Sequence, residues 1–188
     1  MSLEGQRRDY FGALEWVGGL MTATAPEQLD SPTPCEKFTV RDLMGHLLGT
    51  AHRSKGTAQG ISTRQIPHVI TDVADDDLAA AYVSITQDIR KRWQPYNESD
   101  QVTAPWGSCT ALEALRGFTV ETVTHGWDLA VATGQPSEAP DQIADRCLPF
   151  VSATIPDRLR GAMYGKPVTD TQDDSPTTRL AHLLGRRG

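Results

Sequence analysis

Glu121 and His125 lie four residues apart in a stretch with helical periodicity. At about 100° per residue they share one face, one turn apart. That spacing lets two side chains converge on one metal ion, as paired histidines do in helical zinc motifs. Phe118, Leu129 and Ala132 flank the same face, so the pair should point into a core. A buried carboxylate is costly alone, so Glu121 needs a cation, a metal or a hydrogen-bond donor. The competing reading is a plain helical Glu–His contact, and spacing alone favours it slightly.

A third ligand must come from elsewhere. His46 and His52 both fall on an earlier helical segment, at opposite margins of its apolar stripe, so periodicity does not choose between them. His68, in a connection after Pro67, and His182, near the C-terminus, are weaker candidates. Asp128 follows His125 by three residues on the same face. A carboxylate there can accept the second ring N–H of a metal-bound imidazole and fix its tautomer. The alternative is a salt bridge from Asp128 to an arginine, or an exposed charge.

Other chemistries find less support. No Gly-x-Ser-x-Gly elbow, P-loop or dinucleotide fingerprint is present. Cys35, Cys109 and Cys147 are odd in number and lack CxxC spacing, which speaks against a disulfide framework or a four-cysteine zinc site. Cys109 precedes a helix start, a place where a thiol pKa can be depressed, but a small residue near a cap is the more ordinary reading. The net charge is -6, from 18 Lys+Arg against 24 Asp+Glu, with no basic stripe, so nucleic acid is a poor partner. The densest basic clusters, Arg90-Lys91-Arg92 and Arg186-Arg187, are read as solvated helix-end charge rather than a binding patch. No apolar run approaches the ~20 residues of a membrane span. Met1 to Tyr10 is charged and has no apolar signal core, so a cytoplasmic location is expected.

Long amphipathic helices must position these residues, and no stretch reads as paired strands. The spacing predicts a first helix from about Arg8 to Thr24 and a second from Val40 to Gln59, capped by Thr39 with Asp42. A third follows Asp75-Asp76-Asp77 and ends near Trp93. The fourth opens on the Thr110–Glu113 capping box and stops at Gly134. It is apolar on several faces, as a central helix is. A fifth is expected from Pro140 to about Ala153, and a short helical turn at Arg179–Arg186. Four long helices with ordinary connections imply an all-α fold, a four-helix bundle with a short extra helix and tail. The bundle is assigned to residues 1–160 and the tail to 161–188, packing on it or extending from it.

Two blocks then carry a family resemblance. Thr33-Pro34-Cys35, Phe38-Thr39-Val40-Arg41-Asp42-Leu43 and His46-Leu47 resemble the T-P-C, W-T-V-R-D-L-x-x-H-L block of the DinB-like proteins. The match is to the actinobacterial branch related to the metal-binding domain of mycothiol-dependent maleylpyruvate isomerase. Glu121-Thr122-Val123-Thr124-His125-Gly126-Trp127-Asp128-Leu129-Ala130, with Thr133-Gly134, resembles that branch's E-x-x-x-H-G-W-D-L-A-x-A-T-G. Thr178-Arg179-Leu180 to Leu184-Gly185-Arg186 looks like the ending of its single-domain members. Phe38 stands where the block has Trp, and the extra C-terminal domain of the isomerase has no counterpart, which bears on the isomerase reaction itself.

The resemblance implies a DinB-like four-helix bundle and a metal triad of His46, Glu121 and His125, choosing His46 over His52. It implies activation of a low-molecular-weight thiol of the mycothiol type, in a transferase or isomerase acting on a small electrophile. Asp128 would orient His125, and Trp106 and Trp127 would wall the cofactor pocket. Two imidazoles and a carboxylate with open positions suit a catalytic zinc, and the same donors accept nickel, iron or manganese. The expected partners are a small-molecule substrate and a second copy of the chain, with neither nucleic acid nor membrane. The alternatives are a metal-dependent hydrolase and a non-catalytic, stress-related metal-binding domain.

Overall fold

The structure is a computed structural model that describes residues 2–154, 160, 165–169 and 174–188. The long helices are α1 (Leu3–Ala23), α2 (Val40–Ala58), α3 (Leu78–Trp93) and α4 (Ala111–Thr133). Two short strands, β1 (Gln101–Ala104) and β2 (Gly107–Thr110), precede α4, and α5 (Ile143–Thr154) and α6 (Pro176–Leu183) follow it. The fold is the expected helix bundle. α1 packs on α4 and α3, and α2 packs on α3 and α4.

α4 is central because it is apolar on both sides. Leu115, Phe118 and Leu129 face the main core with Tyr10, Leu14, Leu47 and Trp93. Val120 and Val123 face a second cluster with Ile143, Cys147, Val151, Leu180 and Leu184. The caps form as their spacing predicts. The Thr39 side chain accepts from Asp42 N–H and the Thr110 side chain from Glu113 N–H, each box closed by the acidic partner. Gly134 ends α4 in the left-handed conformation, φ 69°.

Three differences from the sequence expectation have physical causes. α1 begins five residues early, at Leu3 behind the Ser2 cap, because its polar first turns are buried and bonded. Arg7 reaches the C-terminal carbonyls of α3, with Nε to Trp93 O at 3.1 Å and Nη2 to Gln94 O at 2.9 Å. The Asp9 carboxylate accepts from Arg146 Nε at 2.7 Å and Nη2 at 2.8 Å. Apolar periodicity cannot register such residues. The stretch from 101 to 110 is an antiparallel hairpin rather than a loop, paired Gln101 to Thr110 and Ala104 to Gly107. Its strands are too short for alternation to stand out, with only Val102 and Ala104 buried. The expected fifth helix is broken at its start. Asp141 and Gln142 have positive φ, 53° and 56°, so a 3-10 turn at Pro140–Gln142 precedes α5.

α6 lies against α4 and α5, with Leu180 and Ala181 buried. It begins at Pro176, three residues before the expected turn. The expected boundary at 160/161 adjoins residues outside the described set, and most of the Gly- and Asp-rich stretch before Asp174 lies outside it too.

Candidate metal centre

The second and fourth helices bring three of the expected residues together. His46 Nε2 lies 3.2 Å from Glu121 Oε1, and His125 Nε2 lies 3.5 Å from the same oxygen. One ligand atom from each of the three falls within 4.8 Å of the others. Both imidazoles are buried, whereas the Glu121 side chain remains 40% exposed. The site is therefore walled by the bundle and open at the carboxylate. His52, on the same helix as His46, is exposed and takes no part. Periodicity could not separate the two because the choice depends on where α4 crosses α2.

Each histidine is held by its other nitrogen. His46 Nδ1 lies 3.0 Å from the backbone oxygen of His68, which can only accept, so Nδ1 is the donor in that contact. His125 Nδ1 lies 3.0 Å from Asp128 Oδ2. Asp128 is fully buried, and the same oxygen also accepts from Arg186 Nε at 2.9 Å. Asp128 therefore both contacts His125 and pairs with an arginine. Arg186 departs from the expectation of solvated charge, since its side chain is only 18% exposed.

The loop carrying His68 reaches α2 because two glycines leave room. A Cβ on Gly45 would sit 2.5 Å from the Ile70 carbonyl oxygen, and one on Gly49 would sit 3.0 Å from that of Pro67. Ile70 N–H donates to Gly45 O at 3.1 Å. Arg41 donates to Ile70 O at 3.1 Å and Val73 O at 2.7 Å, and Arg53 donates to Pro67 O at 2.5 Å. These clamps place the His68 ring against His46, with centroids 4.5 Å apart. Phe38, from the loop before α2, lies 5.1 Å from His46 and 6.4 Å from His125 by ring centroid, and covers the pair.

Electrostatics follow from these contacts. Partial burial opposes charge on Glu121, but hydrogen bonds from His125 and His46 hold its carboxyl well below the usual range. Burial pushes His125 down, yet the bonds to Asp128 and Glu121 prevail and raise it to about 9. Arg53 is within electrostatic reach of Glu121. Cys35 completes a second grouping with His125 and Asp128, again within 4.8 Å. Burial raises its thiol, and burial and Glu113 raise that of Cys109, contrary to the activation a helix start would give. Cys147 is buried and pushed up to about 12.

The two tryptophans part company. Trp106, at the hairpin turn, is 54% exposed and lies over Gly117, four residues before Glu121 and on its face of α4. Trp127 is not near the triad. Two residues past His125, it points roughly 200° around the helix. Its indole donates to Thr178 Oγ1 at 3.1 Å and its ring meets His182 at 6.1 Å, so it anchors α6. His68 was legible only as a weaker ligand candidate, and Arg53 and Arg186 were not legible as site residues. For Arg186 the signal was the Leu184-Gly185-Arg186 ending; Arg53 carried none.

Two uncharacterized proteins from two strains of Mycobacterium tuberculosis are each 28% identical over 180 residues, covering 93% of both chains. The crystal structure of the mycothiol-dependent maleylpyruvate isomerase matches with a TM-score of 0.61 at 14% identity, covering 77% of this chain and 67% of that one. A histidine-to-alanine mutant of that isomerase matches with the same TM-score at 13% identity. At such identity the likeness shows the fold. Residues 13–130 match the family model of the mycothiol maleylpyruvate isomerase N-terminal domain, and the chain belongs to that family.

Proposed function

We propose that the chain holds one divalent transition ion through His46, Glu121 and His125 and acts with a low-molecular-weight thiol of the mycothiol type. The reaction class is thiol transfer to, or isomerisation of, a small electrophile. The observation that carries this reading is the aim of the two imidazoles. Both Nε2 atoms face one Glu121 oxygen, at 3.2 and 3.5 Å, while both Nδ1 atoms are engaged elsewhere. Such a donor set fits an ion, since two imidazole nitrogens and a carboxylate converge and positions remain for a thiol or water. Zinc suits it best, and nickel, iron or manganese accept the same donors. An ion bound there would supply the charge that deprotonates a thiol.

The protein's own groups would do the rest. Phe38 excludes water from the imidazoles. Arg53 offsets the charge of Glu121 at the open side. Trp106 is the remaining aromatic candidate for a wall of the thiol pocket. The family name supports the thiol, and the cytoplasm is the proposed setting.

Elemental analysis of the purified chain, with an electrophile panel assayed with and without its physiological thiol, tests the proposal. About one ion per chain and thiol-dependent turnover are expected. His125→Ala should lose most of the metal and His52→Ala none of it. Unchanged metal content in His125→Ala sinks the ligand assignment, and turnover indifferent to thiol sinks the thiol chemistry.

A further inference from the structure

The C-terminal segment enters the candidate centre through one side chain. α6 docks on α4 by Leu180, Ala181 and Leu184, all buried, and by the Thr178–Trp127 hydrogen bond. Beyond it the chain turns back at Gly185, with φ +87°. A Cβ there would sit 2.4 Å from the Gly165 Cα, so only glycine fits this turn. Arg186 N–H then donates to Ala181 O at 2.9 Å, which aims the guanidinium inward at Asp128.

Asp128 depends on that contact. Its Oδ2 takes both known donors, His125 Nδ1 and Arg186 Nε, and its buried Oδ1 has no partner among the described residues. A carboxylate torsion is broad and roughly two-fold, so a single donor does not hold it. The second, charged donor does, and such bonds are about twice as strong as neutral ones. Arg186 also offsets the charge of a carboxylate that is fully buried.

We propose that Arg186 is a positioning residue for the metal centre. It pins Asp128 at the oxygen that also meets His125, Asp128 pins the His125 ring, and docking of the C-terminal segment is thereby coupled to ion binding some 60 residues earlier in sequence, at Glu121 and His125. This rests on the metal reading given above. Coupling of this kind is reciprocal: if the docked tail strengthens ion binding, the ion must strengthen docking by the same factor.

Cobalt(II) titration of the full chain, read by its visible spectrum, tests this alongside amide hydrogen exchange of residues 176–183. The proteins compared are wild type, Arg186→Met and Arg186→Lys. Arg186→Met keeps length and removes every donor. It should weaken cobalt binding about tenfold, the lower end of the range for groups behind a ligand. Arg186→Lys should recover most of that loss. In wild type, cobalt should slow exchange in α6; in Arg186→Met it should not. A tail that is only structural gives another pattern: Arg186→Met exchanges faster in α6 without metal and binds cobalt as wild type does. That result overturns the proposal. Wild-type chain that takes up no cobalt is a separate failure, visible before any substitution, and it removes the metal reading together with this one.

Discussion

Asp128→Asn is the substitution on which the geometry makes the sharpest demand. The amide oxygen can keep the Oδ2 position and both of its donors, but without charge. The amide nitrogen then occupies the place of Oδ1, which is buried and has no partner among the described residues. Two costs follow. The pair with Arg186, whose side chain is 18% exposed, loses its charge. Breaking a fully buried pair costs about 3–5 kcal/mol, so this partly screened one should cost about 2–3. Ion binding should weaken 10- to 100-fold, as when a group behind a metal ligand is altered. At an ion concentration 100 times the wild-type Kd, binding stabilises the wild type by about 2.7 kcal/mol, and a tenfold weaker site gains only about 1.4. Urea denaturation with and without chelator-buffered zinc reads both quantities from one set of curves. The pH matters, because His125 is raised to about 9 partly by Asp128 itself. At pH 7 the ion must displace that proton, and the asparagine makes this easier, masking part of the loss. At pH 9.5 the ring is mostly neutral, and the affinity ratio should be larger. Equal zinc affinity in the two proteins at pH 9.5 would refute the claim that Asp128 holds His125 for the ion.

Metal-free stability should depend on pH in a defined sense. His125 is raised from 6.5 to about 9 in the fold, so its contribution is complete below about 6.5 and is lost as pH rises through about 9. Glu121 is held low, so its contribution is present above the usual carboxylate range and is lost as pH falls below it. Urea midpoints of the metal-free chain should therefore fall between pH 7 and 10, and His125→Ala should remove most of that fall; parallel profiles would count against the pairing. In the core, Phe118 is 1% exposed and touches Tyr10, Trp93 and Trp106, so Phe118→Ala should cost about 3–5 kcal/mol in chemical denaturation. Thr110→Ala removes only a cap and should cost about 1 kcal/mol.

Local rules written into the chain determined much of this protein. The Thr39–Asp42 and Thr110–Glu113 boxes start α2 and α4 where their spacing says, because a cap is made by residues three apart. Gly134 stops α4 for an equally local reason. The apolar surround of α4 marked it as central, and the four-residue spacing of Glu121 and His125 put them on one face. Periodicity was blind to the buried polar start of α1 and to the four-residue strands of the hairpin. Among the site residues, it left His46 and His52 equivalent; the family motif chose His46, and the crossing of α2 and α4 brings it to Glu121. The same limit applies to Trp106 and Trp127: both are aromatic and near a glycine, but one lies along the Glu121 face and the other beneath α6. His68, Arg53 and Arg186 enter the centre from a loop, from α2 and from the C-terminal segment. Their interactions with His46, Glu121 and Asp128 span 22, 68 and 58 residues of sequence, where no local spacing rule operates and only close packing of the finished bundle sets the distance.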